Sequence, residues 1–504
     1  MLLDTSDDVA RRVDAALAAL TGESPLPLEV SADPAAVGTA TVELRWREPS
    51  LHQHGPRWPG PGGGAGSTWP SSDPGGAAGS GPGLLVGLGT PPAGSADAPA
   101  AEPWLVAGLA AGACLDRDVV LLPPASGPPP DDAAAAALGC GLAAGLLGTS
   151  ADAPATDPPV VHLTGDLAPL LPAVRRGLAE GAAVHLARLL TSAPPGTATP
   201  ARTAAWAQRG AAAAGVDCEV LDEHQLAEGG YGAVLAVGAG SAEAPRLVRL
   251  RWRGAGERVD LAVVGKGVTF DSGGLSLKSA AAMQSMRSDC AGAAAALAVV
   301  LALAARRAPV TVEALLPLAE NLPGPGAVRP GDVVTTRSGR RVQVLDTDFE
   351  GRVLMADALI AALEGAPASA DREPPRLLVD VATLTYAAPV ALGDEVGALL
   401  ARDDAAAAVV LDAARTAGEP LWRLPVAERY RDQVDLGWAV RNHPLHERGR
   451  AITAALFLGE FVPRAQPWVH LDVAGPAWRG DASAEGATGF GVRTLLEVAR
   501  QLEG

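Results

Sequence analysis

The sequence predicts an α/β protein built from two domains, a smaller N-terminal domain and a larger C-terminal domain. Short apolar runs that are typical of buried strands alternate with alanine-rich helical stretches along most of the chain. The length of 504 residues is more than a single hydrophobic core usually organises. A long helical pattern that ends at Pro and Gly lies between the two regions. The predicted units are an N-terminal domain over 1–165, a linker helix over 166–192 and a C-terminal domain over 193–504.

The N-terminal domain is predicted to consist of βα units around a mostly parallel sheet. Apolar residues have helical spacing over 8–20. Residues 55–83 are a low-complexity run of Gly, Pro and Ser, which predicts a disordered surface insertion. The apolar stretch 133–148 predicts a buried helix. Strand signals occur at 41–46, 84–89, 119–122 and 159–164.

The C-terminal domain is predicted to be a second α/β unit in which strands and helices alternate. Its apolar stretch at 290–305 is shorter than the ~18–20 residues that cross a bilayer, so it predicts a buried helix. Strand signals occur at 233–237, 247–252, 260–265, 310–316, 342–345, 376–381 and 468–473. Helical runs cover 280–305, 353–364, 404–417 and 451–462.

The composition excludes several classes of protein. The formal net charge of -17 argues against a general nucleic-acid binder, whose binding surface is basic. The four cysteines are scattered without a CxxC pair, which indicates a reducing compartment and no disulfide framework. The first residues are acidic and lack the apolar run of a secretory signal. We therefore expect a soluble, cytoplasmic protein.

Lysine is almost absent from this chain. Of the 40 basic residues, all but Lys266 and Lys278 are Arg. A lysine amine can lose its proton and coordinate a metal, or act as a compact donor, whereas arginine stays charged. Two lysines retained beside acidic residues therefore indicate chemistry more than a surface ion pair.

Four carboxylates accompany these lysines in two segments that each follow an apparent strand and lead into a helix. They are Asp271, Asp289, Asp348 and Glu350. Ligand sites in α/β sheets form at the carboxyl ends of strands, and four converging carboxylates cannot all ionise unless cations lie between them. Oxygen ligands suit Mg, Mn or, less typically, Zn, and a two-metal site can activate water for hydrolysis. The alternative is that these groups are solvated or cap helices, as Asp289 could do without any metal.

A calcium-binding loop is a second alternative for the later segment. Six of its residues fall at positions 1, 3, 5, 6, 8 and 12 of an EF-hand-type loop, namely Asp346, Asp348, Glu350, Gly351, Val353 and Asp357. We discount this pattern because the preceding residues are strand-like and no second loop is present to pair with it.

Several longer motifs resemble the leucyl aminopeptidase family of dinuclear cytosolic metallopeptidases. The resemblance covers roughly residues 165–500 in the family's order, and the N-terminal 165 residues match weakly. It implies a catalytic C-terminal domain with a mixed central sheet flanked by helices. The motifs are VGKGVTFDSGGLSLK, MRSDCAGAAA, DTDFEGRVLMADAL, AVGAGSAEAPRLV, AENLPGPGAVRPGDV, DVATLT, WRLP and WVHLDVAG.

The resemblance implies a metal centre with two divalent ions, Mn²⁺ or Zn²⁺, in each subunit. Asp271 and Glu350 would bridge the two ions. Lys266, as a neutral amine, and Asp289 would complete one metal site, and Asp348 would complete the other.

The resemblance also implies a catalytic mechanism for removing the N-terminal residue of a peptide. A hydroxide bridging the metals would attack the peptide, whose free α-amine binds a metal. Lys278 would donate to the scissile carbonyl oxygen as negative charge develops there. Arg352 would hold a bicarbonate that serves as the general base.

Two departures from the family pattern concern the pocket for the N-terminal side chain. Phe349 stands where the family has Ala, and Tyr386 where it has Gly. The resemblance places both in or near that pocket, together with Met286, Thr383 and Leu384. We expect a reduced pocket and a shift away from Leu substrates. The alternative is that the loop moves outward and leaves the pocket unchanged.

The expected partners are peptide substrates and further copies of the chain in a homo-hexamer, with no membrane and no nucleic acid. The competing function is a weakly active or inactive member of the family that acts as an oligomeric scaffold, and a calcium-binding module is the third. His470 is interpreted as a core histidine. His443 and His446 receive no role.

Overall fold

The computed structural model describes most of the C-terminal region and parts of the N-terminal region. The 55–83 insertion lies outside the described residues. Of the 133–148 stretch, residues 135–136 and 139–141 are described, and they are helical and buried as expected. The described residues are 6–21, 29–31, 40–43, 84–87, 119–122, 135–136, 139–141, 160–163, 170–254, 256–364, 373–446, 448–480 and 486–503.

The described residues of the N-terminal region include the helix α1 and a small parallel sheet. The sheet has the order β1-β5-β4-β3-β2, and every pair in it is parallel, as predicted. The elements are α1 (Ser6–Thr21), β1 (Glu29–Ser31), β2 (Ala40–Glu43), β3 (Leu84–Gly87), β4 (Val119–Leu122) and β5 (Val160–Leu163). Val9, Val13 and Leu17 on α1 pack into the main hydrophobic core of the C-terminal region.

A mixed nine-stranded sheet forms the centre of the C-terminal region. Its order is β15-β14-β17-β13-β8-β10-β7-β6, with β9 paired to β10. β8, β10, β13 and β17 pair in parallel, and β6, β7 and β14 add antiparallel pairs. The strands are β6 (Asp217–Leu221), β7 (Arg246–Trp252), β8 (Leu261–Gly265), β9 (Gly267–Asp271), β10 (Val312–Asn321), β11 (Val333–Thr335), β12 (Arg341–Gln343), β13 (Leu377–Ala382), β14 (Gly397–Ala401), β15 (Leu421–Leu424), β16 (Val440–Arg441), β17 (Trp468–Asp472), β18 (Trp478–Arg479) and β19 (Gly486–Ala487).

Helices cover both faces of this sheet. The α-helices are α2 (Leu171–Ser192), α3 (Pro200–Ala214), α4 (Glu223–Glu228), α5 (Gly232–Gly238), α6 (Ala280–Met283), α7 (Ala291–Ala305), α8 (Glu350–Glu364), α9 (Ala387–Leu392), α10 (Asp404–Ala417), α11 (Arg450–Gly459) and α12 (Val492–Gln501). Short 3₁₀ helices cover Met286–Cys290 and Glu428–Gln433. This arrangement confirms the predicted α/β class with a mixed central sheet flanked by helices.

Alternating side chains of the strands divide the core into two clusters. On β8, Leu261 and Val263 face the cluster formed with α2, α7 and α12, whereas Ala262 and Val264 face the cluster formed with α5, α8 and α11. Helix α7 is buried along nearly its whole length, which confirms the predicted buried helix at 290–305. By length and composition the stretch Met286–Ala305 could cross a membrane, but most of its residues are buried inside the protein.

The strand predicted at 233–237 is wrong, because this segment forms helix α5. The Asp357 carboxylate accepts hydrogen bonds from the backbone N–H groups of Ala233 (2.8 Å) and Val234 (3.1 Å). These N–H groups lie in the first turn of the helix and have no partner within it. A short apolar run does not distinguish strand from helix, and the carboxylate that caps this helix lies 123 and 124 positions away from the two residues it contacts.

Candidate metal centre

The ends of neighbouring elements bring the candidate site residues together. Lys266 follows β8, Asp271 ends β9, and Thr383 follows β13. Asp289 lies in the 3₁₀ helix before α7, and Glu350 begins α8. The site therefore lies at the carboxyl edge of the parallel part of the sheet, where α/β proteins place ligands.

The predicted metal ligands form one continuous cluster. Asp271, Asp348 and Glu350 each offer a carboxylate oxygen, and these oxygens all lie within 4.8 Å of one another. Lys266 Nζ lies 2.9 Å from Glu350 Oε1 and 2.7 Å from Asp289 Oδ1, so the amine joins Asp289 to this group. All of them are buried except Asp348, which is half-buried.

Lys278 contacts a different pair of carboxylates from the pair that Lys266 contacts. Its Nζ is 2.7 Å from Asp271 Oδ2 and also contacts the Asp348 carboxylate. Two ammonium groups thus face four carboxylates. The site has an excess of negative charge that divalent cations would neutralise.

The pKa values report this crowding of like charge. Burial, reinforced by Asp271, raises the pKa of Asp348 to about 7. Burial likewise raises the pKa of Asp289 and Glu350, against the opposing effect of Lys266. Burial alone would lower the pKa of the amines of Lys266 and Lys278, but the carboxylates outweigh it and hold each pKa above its ordinary range.

Two buried carboxylate oxygens support a metal fit. Among the described residues, Asp289 Oδ2 and Glu350 Oε2 have no hydrogen-bond partner. A buried polar atom without a partner is costly and points to a ligand or an unseen ion. The donor set of carboxylates and one amine suits Mn²⁺ or Zn²⁺.

Surrounding residues hold the ligands in place. Asn321 Nδ2 donates to Asp271 Oδ1 (2.8 Å) and to the Thr347 carbonyl (2.9 Å). Gly351 leaves room for the lysine, because a Cβ at this position would lie 2.4 Å from Lys266 Cε. Gly273 has φ +86° and a Cβ there would lie 2.4 Å from the Ser276 carbonyl oxygen, so the turn after Asp271 requires glycine.

Arg352 lies in the first turn of α8, beside the cluster. It is buried, its Nη1 donates to the Asn442 carbonyl (3.0 Å), and burial lowers its pKa to about 10. The Phe349 ring packs against it, with the guanidinium carbon of Arg352 4.7 Å and that of Arg450 5.2 Å from the ring centroid. His443 also contacts this ring, at a centroid distance of 4.6 Å. Phe349 therefore lies beside the guanidinium that was expected to bind an anion.

The other residues expected in or near the pocket for the substrate's N-terminal side chain differ in their contacts and in their exposure. Thr383 contacts two of the predicted metal ligands, since its hydroxyl donates to Asp289 Oδ1 (2.8 Å) and its carbonyl accepts from Lys266 Nζ (3.0 Å). Leu384, the next residue in the chain, and Met286, in the 3₁₀ helix before α7, are both half-buried. Tyr386 is 81% exposed, so it does not narrow an enclosed pocket among the described residues. For Tyr386 the geometry favours the alternative of an outward loop.

Two alternatives considered from the sequence can be judged from these contacts. Asp357 accepts hydrogen bonds from the backbone N–H groups of Ala233, Val234 and Arg337, so it caps local structure and does not close a calcium loop. His470 is fully buried, with Nδ1 2.6 Å from Asp380 Oδ1, as expected of a core histidine.

Three supporting residues were not identified from the sequence: Asn321, Asn442 and Asp472. Asn442 Nδ2 donates to the Asp346 carbonyl (2.6 Å), and its Oδ1 accepts from Leu345 N (2.8 Å), so it fixes the loop that carries Asp348. Asn321 and Asp472 lie inside motifs quoted above and Asn442 lies outside them, and the hydrogen-bond partners of all three are remote in the chain.

Comparisons with known proteins agree with this geometry. Residues 185–496 match the cytosol aminopeptidase family, catalytic domain. A "Probable cytosol aminopeptidase" of Streptomyces coelicolor is 44% identical over 331 residues, covering 65% of this chain and 62% of the relative. One from Syntrophotalea carbinolica is 42% identical over 341 residues, covering 67% of each. The chain thus spans a little over three fifths of the length of the Streptomyces relative.

A solved structure resembles most of this chain. "Bottromycin maturation enzyme BotP in complex with Mn" superposes with a TM-score of 0.72 at 40% sequence identity. The match covers 80% of this chain and 88% of that chain.

Proposed function

Because the chain belongs to the cytosol aminopeptidase family, we propose that it is a metal-dependent aminopeptidase that removes the N-terminal residue from peptides. The observation that carries the proposal is the cluster of Asp271, Asp348 and Glu350, which Lys266 joins to Asp289. Within it, two buried carboxylate oxygens lack a partner among the described residues, which is the condition expected of metal ligands.

The residues present would hold two divalent ions. Asp271 and Glu350 would be shared between them, with Lys266 and Asp289 completing one site and Asp348 the other. Lys266 must give up its proton to serve as a ligand, and metal binding supplies the free energy for that release. The Mn in the BotP structure favours Mn²⁺ here. When bound, such ions activate water and polarise the scissile carbonyl.

Two basic side chains of the chain would act on the substrate. Lys278, with its side chain 13% exposed at the edge of the cluster, can donate to the peptide carbonyl oxygen as negative charge develops there. Arg352 presents a buried guanidinium that can hold a bicarbonate, which would take up the proton of the attacking water.

The N-terminal side chain of the substrate would lie near Met286, Thr383 and Leu384. Phe349 adds volume beside Arg352, and we propose that this shifts preference away from Leu. The proposed assembly is a homo-hexamer in the cytoplasm, and sedimentation velocity on the purified chain measures its subunit number.

Hydrolysis of aminoacyl-anilides with added Mn²⁺ or Zn²⁺ tests the activity. Wild type should show metal-dependent hydrolysis, and Lys278→Ala should lose about 10²–10³-fold in kcat with its metal retained. Arg329→Ala is the control, since this exposed arginine pairs only with Asp332 among the contacts seen. No metal-dependent hydrolysis of any aminoacyl substrate by wild type would leave the oligomeric scaffold as the function.

A further inference from the structure

Asp472 is a fully buried carboxylate at the carboxyl end of β17, and it holds the loop that follows the neighbouring strand. Its Oδ1 accepts hydrogen bonds from the N–H groups of Leu384 (3.2 Å), Thr385 (3.4 Å) and Ala474 (3.2 Å). Its Oδ2 accepts one from the Thr385 hydroxyl (2.6 Å). The parallel register places Ala382, the last residue of β13, opposite Asp472. The carboxylate therefore determines how the chain leaves β13.

The residue between the strand and this anchored segment is Thr383, and both of its polar groups contact the metal ligands. Its carbonyl accepts from Lys266 Nζ (3.0 Å), and its hydroxyl donates to Asp289 Oδ1 (2.8 Å). Asp472 takes no part in these contacts between Thr383, Lys266 and Asp289. It acts on the lysine and the aspartate through one residue of backbone.

These two contacts orient the ligand atoms. A neutral lysine amine has one lone pair, and a carbonyl that accepts one of its N–H groups restricts the direction in which that pair points. Asp289 Oδ1 is occupied by Lys266 and Thr383, which leaves Oδ2, buried and without a described partner, as the oxygen available to a metal. Partners of this kind outside the ligand set typically change metal affinity by about 10–100-fold.

We propose that Asp472 is a positioning residue for the Lys266–Asp289 half of the metal centre, acting through the Thr383–Thr385 segment. The inference rests on the proposed dinuclear centre. It assigns to Asp472 an effect on one of the two metal sites and little effect on the site completed by Asp348.

Binding of Mn²⁺ by the full chain, followed by calorimetric titration and by metal content after equilibration in metal buffers, tests this role. Asp472→Asn should bind one Mn²⁺ with an affinity close to that of wild type and the second about 10–100-fold more weakly. The matched control is Glu419→Gln. Glu419 is also a buried carboxylate that accepts from two backbone N–H groups and a threonine hydroxyl, those of Gly491 and Thr494, but it caps α12. The control should lower Tm and leave both Mn²⁺ affinities within about twofold of wild type.

A second variant covers the case in which Asp472→Asn does not fold. Thr385→Val removes only the hydroxyl contact with Asp472 Oδ2, and it should weaken the same Mn²⁺ site to a smaller extent. Thr385→Ser should restore the affinity, because it keeps the hydroxyl.

The outcomes separate this inference from the proposed function. If wild type binds two Mn²⁺ and both Asp472→Asn and Thr385→Val do so with unchanged affinities, Asp472 is only a structural cap and the inference is overturned. If wild type itself binds fewer than two Mn²⁺, the dinuclear centre is wrong, and the inference fails with it for that separate reason.

Discussion

Replacing Lys266 by arginine should abolish metal binding at one site, whereas the same replacement of Lys278 should leave metal bound and reduce the rate. Lys266 Nζ lies 2.7 Å from Asp289 and 2.9 Å from Glu350, in the place where a ligand amine must lose its proton. A guanidinium remains charged there. At a separation of ~4 Å and an effective dielectric constant of ~20, it repels each unit of cation charge by about 4 kcal/mol. That corresponds to about a thousandfold loss of Mn²⁺ affinity per unit charge.

The assay is Mn²⁺ content and affinity measured on Lys266→Arg, Lys278→Arg and wild type prepared together. Lys278 has its role as a cation, so its arginine variant keeps the charge beside Asp271 and Asp348 and should retain both metals. Its kcat should still fall, because the wider, planar donor cannot occupy the position of a compact ammonium. The opposite pattern, with Lys266→Arg retaining two metals and Lys278→Arg losing one, would refute the assignment of roles.

Three further predictions use the same preparations. Burial raises the pKa of Asp348 from 3.8 to about 7, so the metal-free folded chain holds a proton there that the unfolded chain has lost. The stability of the metal-free chain is therefore lost as the pH rises through about 7, and Mn²⁺ should raise Tm more at pH 8 than at pH 5.5. An equal rise in Tm at both pH values would argue against the crowded carboxylates. Gly351→Ala places a Cβ 2.4 Å from Lys266 Cε and should weaken Mn²⁺ binding at least about 10-fold, and unchanged binding would mean that the lysine is not held there. Phe349→Ala should raise kcat/KM for Leu-anilide relative to Ala-anilide, and an unchanged ratio would remove Phe349 from specificity.

Much of the fold could be predicted because strands and helices of this chain carry their own signals. The α10 helix was predicted over 404–417 and occupies Asp404–Ala417, where Asp403 caps its first turn and Gly418 ends it. The 233–237 segment has no such local signal. Its helix depends on the Asp357 carboxylate, so only the tertiary structure distinguishes it from a strand.

The residues of the candidate metal centre likewise fall into two groups, those that the sequence identifies and those that only the folded structure identifies. Lys266, Asp271, Asp289, Asp348 and Glu350 lie in two segments of the chain, 263–292 and 344–359, so their chemistry could be predicted from the sequence. The residues that orient them contact partners far along the chain. Asn321 is 50 positions from Asp271, and Asp472 is 87 positions from Thr385. An isolated Asn or Asp at a strand end is compatible with many roles, and only the folded geometry selects one.

Lysine is scarce in this chain, and the surroundings of Lys266 and Lys278 give a physical reason why lysine is retained at these two positions. Arg352 shows that a buried guanidinium is compatible with this site, so charge and burial alone do not exclude arginine. What differs at Lys266 is space and protonation. The Lys266 side chain lies so close to Gly351 that a Cβ added there would be 2.4 Å from Lys266 Cε, so a wider, planar guanidinium fits this position less well than the amine. A ligand amine must also lose its proton, which arginine does not do.

Lys278 differs again, because two carboxylates hold its ammonium at the edge of the cluster as a compact donor. In the proposed mechanism the two lysines would therefore persist for separate reasons, and the paired arginine variants test each reason independently.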